Sequence, residues 1–145
     1  MRSLVEIYNS IIKYSNNEIA GPVSKERVAL FERKANIKLP DDFKDLLYMF
    51  NGGEIFIPGT VIYGLVDSNN DLFRVNSMVK EVLDIPQDYI VIAKLNYGDY
   101  ICLNTNNPFN VIQWDHECNE KFCEWDSLID WLDESVDFFI EEMCD

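Results

Sequence analysis

The sequence predicts an α+β fold: a single domain, residues 1–145, whose antiparallel sheet is covered by N-terminal helices and a C-terminal helix. Two observations lead to this prediction. Apolar residues recur at spacings of three and four in the first fifty and the last twenty residues, as in amphipathic helices. Between these regions lie short β-prone segments separated by Gly, Pro and Asn turns, as in hairpins. A chain of 145 residues, 48% of them hydrophobic, is the size of one domain with an ordinary core.

The first two helices are predicted from their apolar stripes and their ends. Residues 2–15 carry a stripe formed by Leu4, Ile7, Ile11 and Ile12. A second helix should begin after Ser24, whose side-chain oxygen can accept a hydrogen bond from an otherwise unpaired backbone N–H. It should end at Asn36, because asparagine tolerates the left-handed conformation found at helix C-termini.

A third helix is predicted within Leu39–Gly53. Pro40 suits the first turn, because the N–H that it lacks would be unpaired there. Asp41 and Asp42 place negative charge at the positive end of the helix dipole. The buried stripe is Phe43, Leu46, Leu47 and Phe50. Asn51-Gly52-Gly53 should end the helix in left-handed conformations.

The remainder of the chain is predicted to alternate strands and turns around one short helix and to end in a longer helix. The predicted strands are Glu54–Ile57, Thr60–Leu65, Tyr89–Leu95, Asp99–Asn104, Val111–Asp115 and Lys121–Glu124. The turns are Pro58-Gly59 and Asn96-Tyr97-Gly98, and the helices are Asp71–Leu83 and about Asp126 to Met143. The residues expected to be buried include Phe43, Leu47, Phe50, Ile92, Ile101, Trp131 and Leu132.

Several of these segments resemble a known family. Leu39-Pro40, Phe43, Leu46-Leu47 and Asn51-Gly52-Gly53 look like the signature of the SUKH superfamily, which groups bacterial toxin-immunity proteins with fungal cell-wall regulators. The resemblance continues to about residue 132 through Gly64, Ile92-Ala93, Gly98-Asp99, Val111, Trp114 and Trp125. It implies a SUKH-like immunity protein that is not an enzyme, uses no cofactor and neutralises a co-produced polymorphic toxin, often a nuclease. The alternative implied by the fungal members is a regulatory protein-interaction scaffold in cell-wall or signalling assemblies.

The charge distribution narrows the class of partner. The formal net charge is −14, which argues against nucleic acid or an anionic membrane and favours a basic protein. Residues 1–40 hold seven Lys/Arg against four Glu, whereas residues 115–145 hold twelve acids against one Lys. The sequence has no apolar run of transmembrane length and no signal-peptide pattern, so a cytoplasmic location with reduced cysteines is expected. The oligomeric state stays open.

No catalytic or metal site is predicted. His116 is the single histidine, and with Cys118, Cys123 and Cys144 it could nominally provide four zinc ligands. The close Cys-x-x-Cys spacing of a zinc knuckle is absent from this set, so the cysteines are interpreted as small hydrophobic residues. His116 is expected to be a solvated turn residue. The glycine pair at 52–53 ends a helix and is followed by no Lys-Ser/Thr, which excludes a phosphate-binding loop.

The predicted partner-binding surface is acidic. It combines Asp115, Glu117, Glu120 and Glu124 with a stripe of the last helix, namely Asp130, Glu134, Asp137 and Glu141. Like charges at this spacing cost an isolated helix a few tenths of a kcal/mol per pair, and a basic partner offsets that cost on binding. A nuclease toxin needs a basic cleft for phosphates, which such a surface could occupy. Trp114 or Tyr97, at neighbouring strand ends, is expected to supply an apolar anchor.

Overall fold

A computed structural model describes residues 1–14, 21–55 and 59–144, and it confirms the α+β prediction. The helices are α1 (Leu4–Tyr14), α2 (Lys25–Ala35), α3 (Asp41–Met49), α4 (Leu72–Val82) and α5 (Leu128–Cys144). The strands are β1 (Gly53–Ile55), β2 (Thr60–Ile62), β3 (Tyr89–Lys94), β4 (Tyr100–Asn104), β5 (Val111–Asp115) and β6 (Glu120–Trp125). Pro58 and Ile57, which belong to the predicted first hairpin, lie outside the described residues.

The six strands form one antiparallel meander in the order β1-β2-β3-β4-β5-β6, which leaves β6 at one edge. Directly paired residues of neighbouring strands share a face of the sheet. Lys94, Tyr100 and Trp114 are paired in this way and define one face, beside which Val75 and Val79 of α4 lie.

The opposite face of the sheet belongs to α5. On this face of the sheet, Val111 is paired with Leu103 on one side and with Trp125 on the other. The indole of Trp125 donates a hydrogen bond to Glu134 of α5. Helices α1 and α3 contact α5 as well as each other. The sheet is therefore covered on both faces, which explains why β3, β4 and β5 are buried along most of their length instead of alternating.

The core matches the expectation from the apolar stripes. Every residue predicted to be buried is at most 3% exposed: Phe43, Leu47, Phe50, Ile92, Ile101, Trp131 and Leu132. The core continues between the helices, where Tyr14 of α1 contacts Phe139 of α5 edge to face at 5.5 Å between ring centroids. Aromatic pairs in this geometry add about 0.5–1.5 kcal/mol beyond the burial of their area.

Both predicted ends of α2 are confirmed. The start of α3 is displaced by one position. The Ser24 hydroxyl accepts from the backbone N–H of Arg27, and Asn36 has a φ of 54°. Pro40 is the N-cap of α3 instead of a first-turn residue. The last helix begins at Leu128, two residues later than predicted, because the Ser127 hydroxyl caps it by accepting from the N–H of Asp130.

The prediction that Asn51 ends α3 in a left-handed conformation is wrong. The helix ends at Met49, and of the three residues proposed for the cap only Gly52 and Gly53 have positive φ, 82° and 138°. Asn51 is 8% exposed and uses its amide as a bridge: Nδ2 donates to the carbonyl of Leu65 (2.9 Å), and Oδ1 accepts from the Leu65 N–H (2.6 Å). The end of α3 is thereby fixed to the segment that follows β2.

A second asparagine bridge fixes α4 to the sheet. Asn76 lies in the middle of α4, where asparagine lowers helix propensity. Its amide donates to the carbonyl of Val91 (2.9 Å) and accepts from the N–H of Val91 (2.7 Å). Val91 lies at the irregularity where the pairing of β3 with β4 shifts by one residue. The side chain therefore satisfies backbone groups that the ladder leaves unpaired.

Candidate protein-binding surface

The β5–β6 hairpin presents its acids from a rigid turn. Asp115 Oδ1 accepts from the N–H groups of Glu117 (2.8 Å) and Cys118 (2.9 Å), which closes an Asx turn. Asn119 has a φ of 56°, and its Oδ1 accepts from the indole N–H of Trp114 (3.1 Å). The side chains of this turn are therefore displayed from a backbone whose conformation is fixed by short-range hydrogen bonds.

A β-bulge turns Phe122 outward on the edge strand. Gln113 pairs with Cys123 and Trp114 pairs with Lys121, so Phe122 has no partner residue on β5. Bulges of this kind re-aim side chains at sheet edges. Phe122 is 67% exposed, which is unusual for a large aromatic residue in a strand.

The predicted acids of the hairpin precede and follow this aromatic along the chain, and the register places Glu120 and Glu124 on opposite faces of the sheet. Glu117, Glu120 and Glu124 are exposed, while Asp115 is half-buried because its carboxylate closes the turn. Glu124 also accepts from Lys121 Nζ at 2.9 Å and from Asn110 Nδ2 at 2.5 Å. We name Asp115, Glu117, Glu120, Phe122 and Glu124 the acidic edge.

The predicted acids of α5 are less uniform. Glu141 is exposed and Asp130 is half-buried. Glu134 accepts the hydrogen bond from Trp125, and Asp137 forms an ion pair with Arg2 (2.7 Å) that also includes Asp133 (2.9 Å). The charge of Asp137 is thus already paired within the chain, which reduces what it can offer to a basic partner.

The eight predicted acids and Trp114 do not form one flat surface. Glu124 pairs with Ile112, which places it on the α4 face of the sheet, whereas α5 lies on the other face. The acids consequently wrap around the β6 edge. Trp114 is only 8% exposed and offers little area to a partner, whereas Tyr97 is 61% exposed. The aromatic that sequence reasoning missed is Phe122, because its exposure depends on the bulge in the β5–β6 pairing, which the sequence pattern does not reveal.

His116 lies in a turn, as expected, but its imidazole is half-buried and bonded to a carboxylate. Its Nδ1 lies 2.5 Å from Oδ1 of Asp99, which also accepts from the His116 N–H at 3.1 Å. The other oxygen of Asp99 accepts from Gln113 Nε2 at 2.9 Å, and Asp99 is 7% exposed. A Cβ added to Gly98 would lie 2.8 Å from Nε2 of His116, so the imidazole packs closely on this glycine. The cluster joins the β3–β4 turn to the β5–β6 turn.

The possible metal ligands group differently from the zinc set considered above. The donor atoms of Asp99, Asp115 and His116 lie within 4.8 Å of one another. They are, however, already bonded to protein partners, since both oxygens of Asp99 are occupied and Asp115 closes the turn. Of the cysteines in the zinc set, Cys118 is exposed and Cys123 lies near Gln113 (3.7 Å between Sγ and Oε1). This geometry fits a structural hydrogen-bond network better than a metal centre.

We expect the Asp99 carboxylate to make the stability of the folded protein depend on pH in the acid range. Burial raises the pKa of this carboxyl, but the hydrogen bonds from Gln113 and His116 lower it by more. The net pKa is therefore below the ordinary 3.8. The unfolded chain then binds this proton more readily, and the stabilisation is present above about pH 4 and is lost as the pH falls through the lowered pKa. Asp99→Asn should cost about 1.5–3 kcal/mol at pH 7.

Urea unfolding of the wild type and of Asp99→Asn from about pH 7 down to about pH 2.5 measures this dependence. The difference between the two proteins should shrink toward the acid end, and Asp67→Asn, in an exposed loop, should follow the wild type throughout. A difference that stays constant over the whole range would contradict the assignment.

Among the described residues, no helix combines the length and apolar character needed to cross a bilayer. The fold and the acidic edge define a small α+β domain with an exposed, negatively charged sheet edge. The chain belongs to the SMI1 / KNR4 family (SUKH-1), whose family model matches residues 22–134. This confirms the SUKH resemblance, and it leaves α1 and the end of α5 outside the matched range.

A curated protein and a solved structure are among the proteins similar to the chain. One, from Bacillus subtilis (strain 168), carries the name "Uncharacterized protein YnaB" and is 29% identical over 91 residues, which is 61% of this chain and 55% of that protein. The chain thus spans about half the length of that relative. A crystal structure of a protein from Pseudomonas syringae pv. tomato superposes with a TM-score of 0.72 at 17% identity, covering 90% of this chain and 96% of the other, and supports the fold alone.

Proposed function

We propose that this protein is an immunity protein that binds and neutralises a cognate bacterial toxin, without catalysis, through the acidic edge. The observation that carries the proposal is Phe122, an exposed aromatic held outward by a bulge and flanked by the exposed carboxylates of Glu120 and Glu124. Glu117 and the acids of α5, Asp130, Glu134, Asp137 and Glu141, add to the negative charge of this end of the chain, although Asp137 is paired with Arg2. Membership of the SUKH-1 family supports this class of function.

The chemistry of the acidic edge suits a basic, nuclease-type toxin. Exposed ion pairs contribute only about 0–1 kcal/mol each, so the acids act mainly by accelerating association with a positive surface. Affinity then needs an apolar anchor that is desolvated in the complex, and aromatic residues commonly take this role. Phe122 supplies such an anchor, whereas Trp114 lies in the core.

The state of the candidate groups supports the non-catalytic part of the proposal. A nucleophilic cysteine needs a lowered pKa, but neighbouring carboxylates, above all Asp115, raise the pKa of Cys118. Asp99 and His116 are close enough to act as an acid–base pair, yet the imidazole packs on Gly98. Both features favour structural roles for these residues.

A toxicity rescue experiment tests the function. The C-terminal domain of a toxin encoded next to this protein's gene is expressed alone and together with it. We expect the domain to arrest growth alone and the co-expressed protein to restore growth, with a 1:1 complex on gel filtration. Failure of every neighbouring toxin domain to be neutralised would contradict immunity and favour the regulatory scaffold, whose partners need not be toxic.

A further inference from the structure

A basic cleft lies between α2 and α4, away from the acidic edge. It is open to solvent and has a volume of about 430 Å³. Its apolar walls include Phe31, Ile37 and Phe73, and its cations are Lys34 and Lys80. Glu81 also lines it, so the cleft keeps a net positive charge in a protein whose overall charge is −14.

The two cations of this cleft are not neutralised within the described chain. Nζ of Lys34 lies 4.2 Å from the centroid of the Phe73 ring, a cation–π contact that leaves the charge available. Nζ of Lys80 donates to the backbone carbonyl of Gln87 at 3.2 Å, and burial lowers the pKa of this amine. Neither lysine forms an ion pair with a carboxylate of residues 1–14, 21–55 or 59–142.

A complementary feature lies on the outer face of α5. Phe138 is 66% exposed there. Glu134 precedes it by one turn, while Glu141 and Glu142 follow it by one turn, and all three are exposed. We name these four residues the acidic knob, since an apolar ring projects from among three carboxylates.

We propose that the cleft between α2 and α4 binds the acidic knob of a second copy of this chain. The Phe138 ring enters between Phe31 and Phe73, and the surrounding carboxylates approach Lys34 and Lys80. The groups of the two surfaces are complementary in kind, since an aromatic ring with negative neighbours faces aromatic walls with positive neighbours. This contact uses neither Phe122 nor the hairpin acids of the acidic edge.

Such a contact is heterologous, because the cleft and the knob lie on different elements of each copy. Every added copy leaves one cleft and one knob unused until the rotation closes a ring, so assembly gives either open chains or closed rings. The net charge opposes association over long distances, but physiological salt screens exposed charges beyond about 8 Å and leaves the direct contact in place. We therefore expect assembly at high protein concentration and physiological ionic strength.

Sedimentation velocity from about 1 µM to about 1 mM protein tests the proposal, as weak contacts populate complexes in this range. The wild type should associate into complexes of two or more copies as its concentration rises. A cleft variant, Lys34→Glu with Lys80→Glu, and a knob variant, Phe138→Ser, should each stay monomeric alone. Mixed in equal amounts, the two variants should form a dimer that grows no further, because one contributes its knob and the other its cleft. Phe122→Ser, which removes an equally exposed phenylalanine, should assemble like the wild type.

The variants need one safeguard, because the stem of Lys80 is half-buried. Lys34→Glu alone changes an exposed residue and should weaken assembly at least tenfold with unchanged circular dichroism. A wild type that stays monomeric at the highest concentration would overturn the proposal. So would a pair of variants that fails to complement.

Discussion

Gly64→Ala should destabilise the protein by about 3 kcal/mol or more, the upper range for forcing extra atoms into a packed site. A Cβ at this position would lie 2.2 Å from the backbone oxygen and 2.5 Å from Oδ1 of Asn51. Neither atom can yield freely, because the Asn51 amide bonds both the N–H and the carbonyl of Leu65. The added methyl would push the buried Asn51 amide away from the backbone of Leu65. The resulting unsatisfied hydrogen-bonding groups add to the energetic cost.

Urea denaturation followed by circular dichroism measures this effect. Gly21→Ala is the matched control, since a Cβ there would meet nothing within 4 Å. We expect Gly21→Ala to stay within about 0.5 kcal/mol of the wild type, as surface substitutions usually do. Equal stabilities for the two variants would refute the importance of the Asn51 bridge.

The parts of the fold that sequence predicted well depend on local patterns. The end of α2 at Asn36 follows from left-handed tolerance, and the strand Val111–Asp115 follows from an apolar run between turns. In both cases the residues that decide the structure are neighbours in the sequence. A single sequence contains all that such a prediction needs.

The parts that sequence reasoning missed depend on contacts between distant segments. Asn51 looked like a helix cap because Asn-Gly-Gly commonly is one, yet its amide pairs with a residue fourteen positions later. His116 looked solvated because it lies in a turn, but the turn between β3 and β4 brings Asp99 against it. Asp137 was predicted to be free to bind a basic partner, but in the fold it forms an ion pair with Arg2. Periodicity cannot reveal a partner that only tertiary structure supplies.

The same distinction applies to the candidate binding surface. Its acidic character was evident from composition, because residues 115–145 are so rich in Asp and Glu. The sequence did not reveal which aromatic residue is exposed, because this depends on the position of the bulge in the β5–β6 ladder. Trp114 pairs with Lys121 and turns into the α4 face of the sheet, while Phe122 is left outside the ladder.

If the acids of the acidic edge steer a basic toxin, reversing Glu117 and Glu120 to Lys should slow association about tenfold or more at low salt. Both side chains are exposed, so stability should change little. Glu26→Lys with Asp67→Lys is the control, because it changes the net charge equally at exposed residues elsewhere. Surface plasmon resonance at low and physiological salt separates a local effect from a global one. Equal slowing by both double variants would mean that net charge alone steers the encounter.

Phe122→Ala should have the largest effect on toxin binding, a loss of about 30-fold or more in affinity, which corresponds to about 2 kcal/mol for a central aromatic anchor. Its ring is flanked by charges that a partner's cations would neutralise, so the complex would desolvate it fully. Because anchors act after encounter, the dissociation rate should rise while the association rate stays near the wild-type value. Phe138→Ala, which truncates an equally exposed ring on α5, should leave both toxin rates unchanged. If Phe122→Ala still protects cells and dissociates at the wild-type rate, the toxin contacts another part of the acidic surface, and the bulge on β6 has only a structural role.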